Sequence, residues 1–209
     1  MAEEAEKLKL QGPPESWGYF VRGLWEESPV FRQLIGMCPT LAVTAQVKPA
    51  LTMGAAVIFV LVCSNVVVSL MRQVIPGYQR LMMFTLTIAA FVTIADLLLQ
   101  ALVPDMSEKL GPYVPLIIVN CIIIGRAEAC ASRTGLWTSF CDGWGQGLGY
   151  MLGLVVMATI REVLADGTWA GVTVLPRGFV PWGVMKLPAG AFLTLGILLA
   201  LSNHFLKKK

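Results

Sequence analysis

PLIIVNCIIIGRAEA, residues Pro115–Ala129, decides how the rest of the chain is read. The stretch opens as a membrane-grade apolar run, yet Asn120 and Cys121 stand at its centre, and Arg126 and Glu128 close it. Tyr113–Gly125 holds only thirteen uncharged residues. A helix needs about 20 apolar residues to cross a bilayer, so this run is too short to span. Leu34–Val47 has the same defect: fourteen uncharged residues, with Cys38-Pro39 near the start. Two short, interrupted hydrophobic segments, each with one cysteine, set the problem.

The other hydrophobic segments are full length. Leu51–Met71 runs for 21 residues without a charge, Leu81–Val103 carries only Asp96, Gly143–Ile160 is eighteen residues long, and Leu187–Leu206 ends at Lys207–Lys209. The intervening pieces read as a basic turn at Arg72–Arg80, a loop at Pro104–Pro112, and a longer loop at Arg161–Lys186 with the interface residues Trp169 and Trp182. The 209 residues are 56% hydrophobic and only 14% charged, where soluble domains carry about 25% charge, and the mean hydropathy is +0.70. The fold class this predicts is an all-α integral membrane protein with six transmembrane segments.

Their order is short, long, long, then short, long, long, an internal repeat. Three is odd, so the halves enter the bilayer from opposite sides. The chain then divides into two inverted three-helix repeats, 34–103 and 113–206, with the first and fourth segments short and broken. With the N-terminus cytoplasmic, inside regions collect eleven Lys and Arg and outside regions five, which favours both termini in the cytoplasm. Residues 1–33 form a polar cytoplasmic head. Within it Trp17, Phe20, Val21, Leu24 and Trp25 share one helical face, expected to lie at the membrane surface or against a partner subunit. Met1–Leu10 has no apolar core of a signal peptide, so none is expected.

Several chemistries are disfavoured. The five cysteines include no CxxC, which argues against a thiol oxidoreductase and a zinc knuckle. The single histidine, His204, argues against haem held by this chain alone. Asp142-Gly143 to Gly149 is glycine-rich but follows no strand, so no nucleotide loop is expected, nor a nucleic-acid partner. Gly145, Gly149 and Gly153 recur every four residues, the spacing that lets membrane helices approach closely.

Discontinuous helices at matching places of an inverted repeat point to a site near the midplane. In Gly36-Met37-Cys38-Pro39 the proline removes an N–H and disfavours helix before it. In Val119-Asn120-Cys121 the Asn amide can satisfy freed backbone. The pseudo-twofold would bring Cys38 and Cys121 towards each other. Their thiols are open to three readings: plain packing, a disulfide, or a metal centre. A [2Fe–2S] cluster is usually held by four thiolates, so a second, similar chain would supply the other two. Asp96 and Glu128, acids at or near membrane depth, are candidates for an ion pathway or for pairing. Asn120 and Arg126 join them, with Arg126 and Glu128 a possible pair at the membrane edge.

Gly36-Met-Cys-Pro-Thr-Leu-Ala-Val-Thr44 and Asn120-Cys-Ile-Ile-Ile-Gly-Arg-Ala-Glu-Ala129, followed by Asp142-Gly and Gly147-Leu-Gly149, resemble the paired six-helix subunits of the Rnf and Nqr redox-driven ion pumps. Pro39, Arg161-Glu162 and Leu187-Pro-x-Gly-Ala-Phe192 are more similar to the E-type member of Rnf than to the D-type member of Nqr, the alternative. The resemblance implies a subunit of a ferredoxin:NAD⁺ oxidoreductase that pumps Na⁺ or H⁺ across the bacterial cytoplasmic (inner) membrane. It implies one [2Fe–2S] cluster shared with an oppositely inserted A-type sister subunit, two cysteines from each, matching Cys38 and Cys121 here. The further partners it implies are subunits carrying flavin and iron–sulfur centres. The competing class is a secondary transporter, with solute or Na⁺ at the broken helices and no cluster.

Overall fold

The computed structural model describes residues 29–71, 77–170, 172–173 and 182–206. The amphipathic stretch of the head, most of the basic turn and the terminal lysines lie outside them. A π-helical turn, Pro29–Gln33, leads to a break and then the short helix α1 (Met37–Val43). Two long helices follow, α2 (Val47–Met71) and α3 (Arg80–Leu102). The second half opens with α4 (Pro104–Leu110), a 3₁₀ turn, and α5 (Pro115–Ile118). After a second break come α6 (Cys121–Arg126) and a π-helical turn, Ala127–Ala131. The long α7 (Leu136–Asp166), a two-stranded hairpin (β1 Thr168–Trp169, β2 Val172–Thr173), a 3₁₀ turn and α8 (Pro188–Leu206) complete the chain.

Four helical stretches, Val47–Met71, Arg80–Leu102, Gly111–Ala131 and Leu136–Asp166, are long and apolar enough to cross a membrane, and Pro188–His204 is a shorter apolar helix. With the broken first segment these fit six segments in the expected order. The chain is a multi-pass, all-helical membrane protein. Leu81, Met82, Leu86 and Leu97 on α3, and Phe192 and Ile197 on α8, are large apolar side chains left exposed. Hydrocarbon is their natural surrounding.

The centre of the fold is the crossing of α2 and α7. Three glycines let the backbones approach. A Cβ on Gly54 would stand 2.8 Å from Met151 Cγ, one on Gly147 2.9 Å from Ile58 Cγ1, and one on Gly143 3.3 Å from Val62 Cα. Each step of four along α2 is matched by a step of four back along α7, so the helices run antiparallel, as an inverted repeat requires of its corresponding members. Gly143 and Gly147 lie on a second four-residue stripe of α7, beside the expected stripe of Gly145, Gly149 and Gly153, whose members are also buried. Gly153 is a close-approach site, but its neighbour is Val30, 2.9 Å from where its Cβ would be.

Several expected boundaries move. Val30, placed in the head by the sequence, is fully buried against α7. Pro104–Leu110 is a helix rather than a loop, started by a proline at its first position, where the missing N–H costs nothing. The fourth segment is not short. Gly111–Ala131 gives 21 residues of apolar path, interrupted at its centre rather than curtailed. Arg161 leaves the expected outer loop and lies inside α7, which runs 31 residues to a left-handed Gly167 at φ 65°. That conformation suits glycine and ends the helix.

Candidate functional site

Each half of the chain contains one broken helix, and each break sets a cysteine in the first turn that follows. In the first, Leu34 at φ 54° and Gly36 at φ 81° turn the backbone through the left-handed region, and α1 restarts with Met37-Cys38-Pro39. Pro39 fits there because first-turn N–H groups have no helical partner to lose. In the second, Asn120 is extended, and its Oδ1 accepts the Ile122 N–H at 3.3 Å, capping α6 at Cys121. An Asn cap satisfies one amide that the break would otherwise orphan.

The structure brings the two breaks together. A Cβ on Gly36 would lie 3.3 Å from Asn120 Oδ1 and 2.9 Å from Tyr150 Cε2. The Tyr150 hydroxyl donates to the Gly36 carbonyl at 3.2 Å, and Thr40 Oγ1 donates to the same carbonyl at 2.8 Å. Tyr150 thus stitches the first break to the body of α7, with Thr40 Oγ1 3.3 Å from its hydroxyl. Asn120 Nδ2, beside that hydroxyl, has no hydrogen bond of normal geometry. Tyr150 is one residue from the midpoint of α7. A helix of 31 residues is about 46 Å long, so the meeting point of the breaks lies about 20 Å from either end of α7.

Cys38 and Cys121 remain on the surface of the chain, whereas Cys63 and Cys141 are half-buried and Cys130 is buried. Cys130 Sγ lies 3.3 Å from Thr134 Oγ1, the contact of a packed core thiol. Among the described residues no three His, Cys, Asp or Glu gather into a metal-sized cluster. Cys38 and Cys121 are thus the two exposed thiols, and each stands beside one of the breaks.

The remaining acidic candidates separate. Arg126 is held by Asp142 of α7 through both carboxylate oxygens, with Nε to Oδ2 at 2.9 Å. The expected partner, Glu128, is exposed, and residues two apart on a helix point in different directions. In the sequence Asp142 reads only as the start of a glycine run. Asp96 accepts a 3.0 Å bond from Gln100 on its own helix.

From sequence, Arg161 and Glu162 are only marks of resemblance; the fold gives them work. Arg161 is 1% exposed. Its guanidinium donates to the carbonyls of Leu41 and Met185 and to Thr44 Oγ1 at 2.6 Å. Further bonds go to the Lys186 and Leu187 carbonyls. One cation thus closes the C-terminal ends of α1 and of the turn before α8, where orphan carbonyls concentrate. Glu162 Oε2 accepts the Val47 N–H at 2.6 Å, at the start of α2, and Oε1 accepts the Thr168 hydroxyl at 3.2 Å. The adjacent pair anchors the half-helix that carries Cys38. An Arg-Glu dipeptide on the end of an apolar run is the available signal.

Residues 16–199 match the family model described as Rnf-Nqr subunit, membrane protein. The chain belongs to the Rnf-Nqr family. Among its relatives, the chain is 46% identical over 187 residues to the E-type subunit of the Na⁺-translocating ferredoxin:NAD⁺ oxidoreductase complex of Acetobacterium woodii, covering 90% of this chain and 95% of that one. It is 42% identical over 194 residues to the E-type subunit of the ion-translocating oxidoreductase complex of Methanosarcina acetivorans, covering 91% of each. A protein of the same name from Shewanella frigidimarina is 44% identical over 195 residues, covering 87% of this chain and 84% of that one. The two broken helices and their cysteines fall inside the Rnf-Nqr match.

Proposed function

We propose that this chain is the E-type membrane subunit of an ion-translocating ferredoxin:NAD⁺ oxidoreductase, and that it holds half of a [2Fe–2S] cluster through Cys38 and Cys121. The names of its relatives support the complex. One observation supports the site: two breaks meet beside the middle of α7, and each sets an exposed cysteine in the turn that follows. A homologous A-type sister subunit of opposite topology would supply the other two thiolates, and flavin and iron–sulfur subunits would complete the complex. When bound, a [2Fe–2S] group supplies a one-electron relay.

The chain's own residues supply position and insulation. Gly36 and Asn120 set the backbone so that each cysteine falls in the first turn of a helix. Tyr150 and Thr40 hold the first break through its Gly36 carbonyl, and Arg161 and Glu162 hold the far end of the same half-helix. The buried apolar surface of α2 and α7 behind the breaks excludes bulk water, while the exposed thiols face outward to a partner. We place both termini in the cytoplasm and the complex in the bacterial cytoplasmic membrane, on the distribution of Lys and Arg.

The test is iron content and visible absorbance of the chain co-purified with its sister. Both should be lost in Cys38→Ala and in Cys121→Ala and kept in Cys63→Ala. Retained iron in the first two variants refutes the assignment. A colourless pair that binds a solute would favour the transporter class.

A further inference from the structure

The polar face of α7 extends beyond the contact that Tyr150 makes with the first break. Asp142, Gln146 and Tyr150 recur every fourth residue and share one face of the helix, and none is more than 1% exposed. This face runs from the Arg126–Asp142 pair to the Tyr150 hydroxyl beside the breaks. On it Gln146 Oε1 is buried without a hydrogen-bond partner, and so are both Nδ2 and Oδ1 of Asn65 on α2. Asn65 fronts the same stretch: a Cβ on Gly143 would stand 3.4 Å from its Nδ2, and Gly143 is about one turn of α7 from Gln146. Asn120 Nδ2, at the break, is the fourth such atom among the described residues.

Unpaired buried amides cost about 1–3 kcal/mol each by protein mutational measures, and hydrocarbon offers them no relief. Here they fall between one end of α7 and its middle, not scattered through the core. The atom types select the ligand. Asn65 presents a donor and an acceptor, Gln146 an acceptor, and Asn120 a donor. A bare cation would be opposed by the NH₂ groups, and an apolar ligand would leave every amide unpaired. Water accepts from the nitrogens and donates to the oxygens, and a buried water typically makes about three hydrogen bonds.

We propose that Asn65 and Gln146 hold ordered water between α2 and α7. This water is the station through which a proton or a hydrated monovalent cation passes between the Arg126–Asp142 end and the breaks. The Arg126–Asp142 pair carries no net charge, so that end does not repel a cation. The inference rests on the reading of the chain as part of an ion-translocating complex.

The test uses the whole complex reconstituted in liposomes, with reduced ferredoxin and NAD⁺. Asn65→Leu and Gln146→Leu replace each amide by an apolar group of similar size. Electron transfer and the iron–sulfur signal should persist, while ions moved per electron fall about ten-fold or more, equivalent to about 1.4 kcal/mol of added barrier. Tracer Na⁺ uptake with a protonophore present distinguishes Na⁺ from H⁺ as the ion. Undiminished ion movement per electron in both variants overturns the proposal. X-ray hydroxyl-radical footprinting of the unmodified complex gives a readout independent of folding. Tyr150, fully buried, should be oxidised at a rate approaching that of exposed Tyr78, because bound water lies one turn away. A Tyr150 as inert as a dry core residue also overturns it. Absence of an iron–sulfur signal in the unmodified complex would sink the electron-relay reading instead and leave the footprinting result standing.

Discussion

Replacing Gly36 by alanine tests the geometry of the first break with a single methyl group. Two independent effects oppose the change. Gly36 sits at φ 81°, where a residue with a Cβ pays roughly 1–2 kcal/mol. The new Cβ would also stand 2.9 Å from Tyr150 Cε2 and 3.3 Å from Asn120 Oδ1. Tyr150 is fully buried and cannot swing away, so overpacking adds about 1–3 kcal/mol. The total is about 2–5 kcal/mol. At about 2–4 °C per kcal/mol for a chain of this size, the melting temperature should fall by on the order of 10 °C. Thermal unfolding of the detergent-solubilised complex reads the loss, and iron content of the same sample reads its effect on Cys38. In a Tyr150→Leu background the clash with the ring disappears and only the looser contact with Asn120 Oδ1 remains, so Gly36→Ala should cost clearly less there, nearer the roughly 1–2 kcal/mol of the backbone alone. An unchanged melting temperature refutes the left-handed break. An equal loss in both backgrounds refutes the contact with Tyr150.

Other substitutions probe the supports. Asp142→Leu leaves the Arg126 guanidinium without its carboxylate and should destabilise by about 3–5 kcal/mol, while Arg126→Met with Asp142→Leu should recover most of it; chemical denaturation of the four variants forms the cycle. Arg161→Lys keeps the charge but cannot reach the carbonyls of Leu41, Met185 and Leu187 together. It should lower both the melting temperature and the iron content, and stability equal to the parent would contradict the anchoring role. Gly147→Val drives a branched side chain against Ile58, where a Cβ alone already meets Cγ1 at 2.9 Å. Assembly, followed by size-exclusion chromatography, should fail or drop sharply.

The breaks are legible in the sequence because proline and asparagine next to a cysteine carry their own backbone chemistry. Cys38-Pro39 and Asn120-Cys121 mark the restart of a helix within one or two residues. Helix ends are less legible where a charge reads as an end. Arg126 stays inside the fourth segment because Asp142, sixteen residues on, neutralises it. Arg161 stays inside α7 because carbonyls up to 120 residues away surround it. Such partners come from the fold, and no local pattern announces them. Tyr150 gives no signal at all, since an aromatic residue inside an apolar helix reads as packing until the Gly36 carbonyl is found beneath its hydroxyl.

Low-temperature EPR of the reduced intact complex, compared between the parent and each alanine variant, tests whether Cys38 and Cys121 are two of four thiolates around one cluster shared between sister subunits. One [2Fe–2S] component should vanish from the spectrum in both Cys38→Ala and Cys121→Ala, with every other iron–sulfur component retained. A full parental spectrum in either variant would contradict the account.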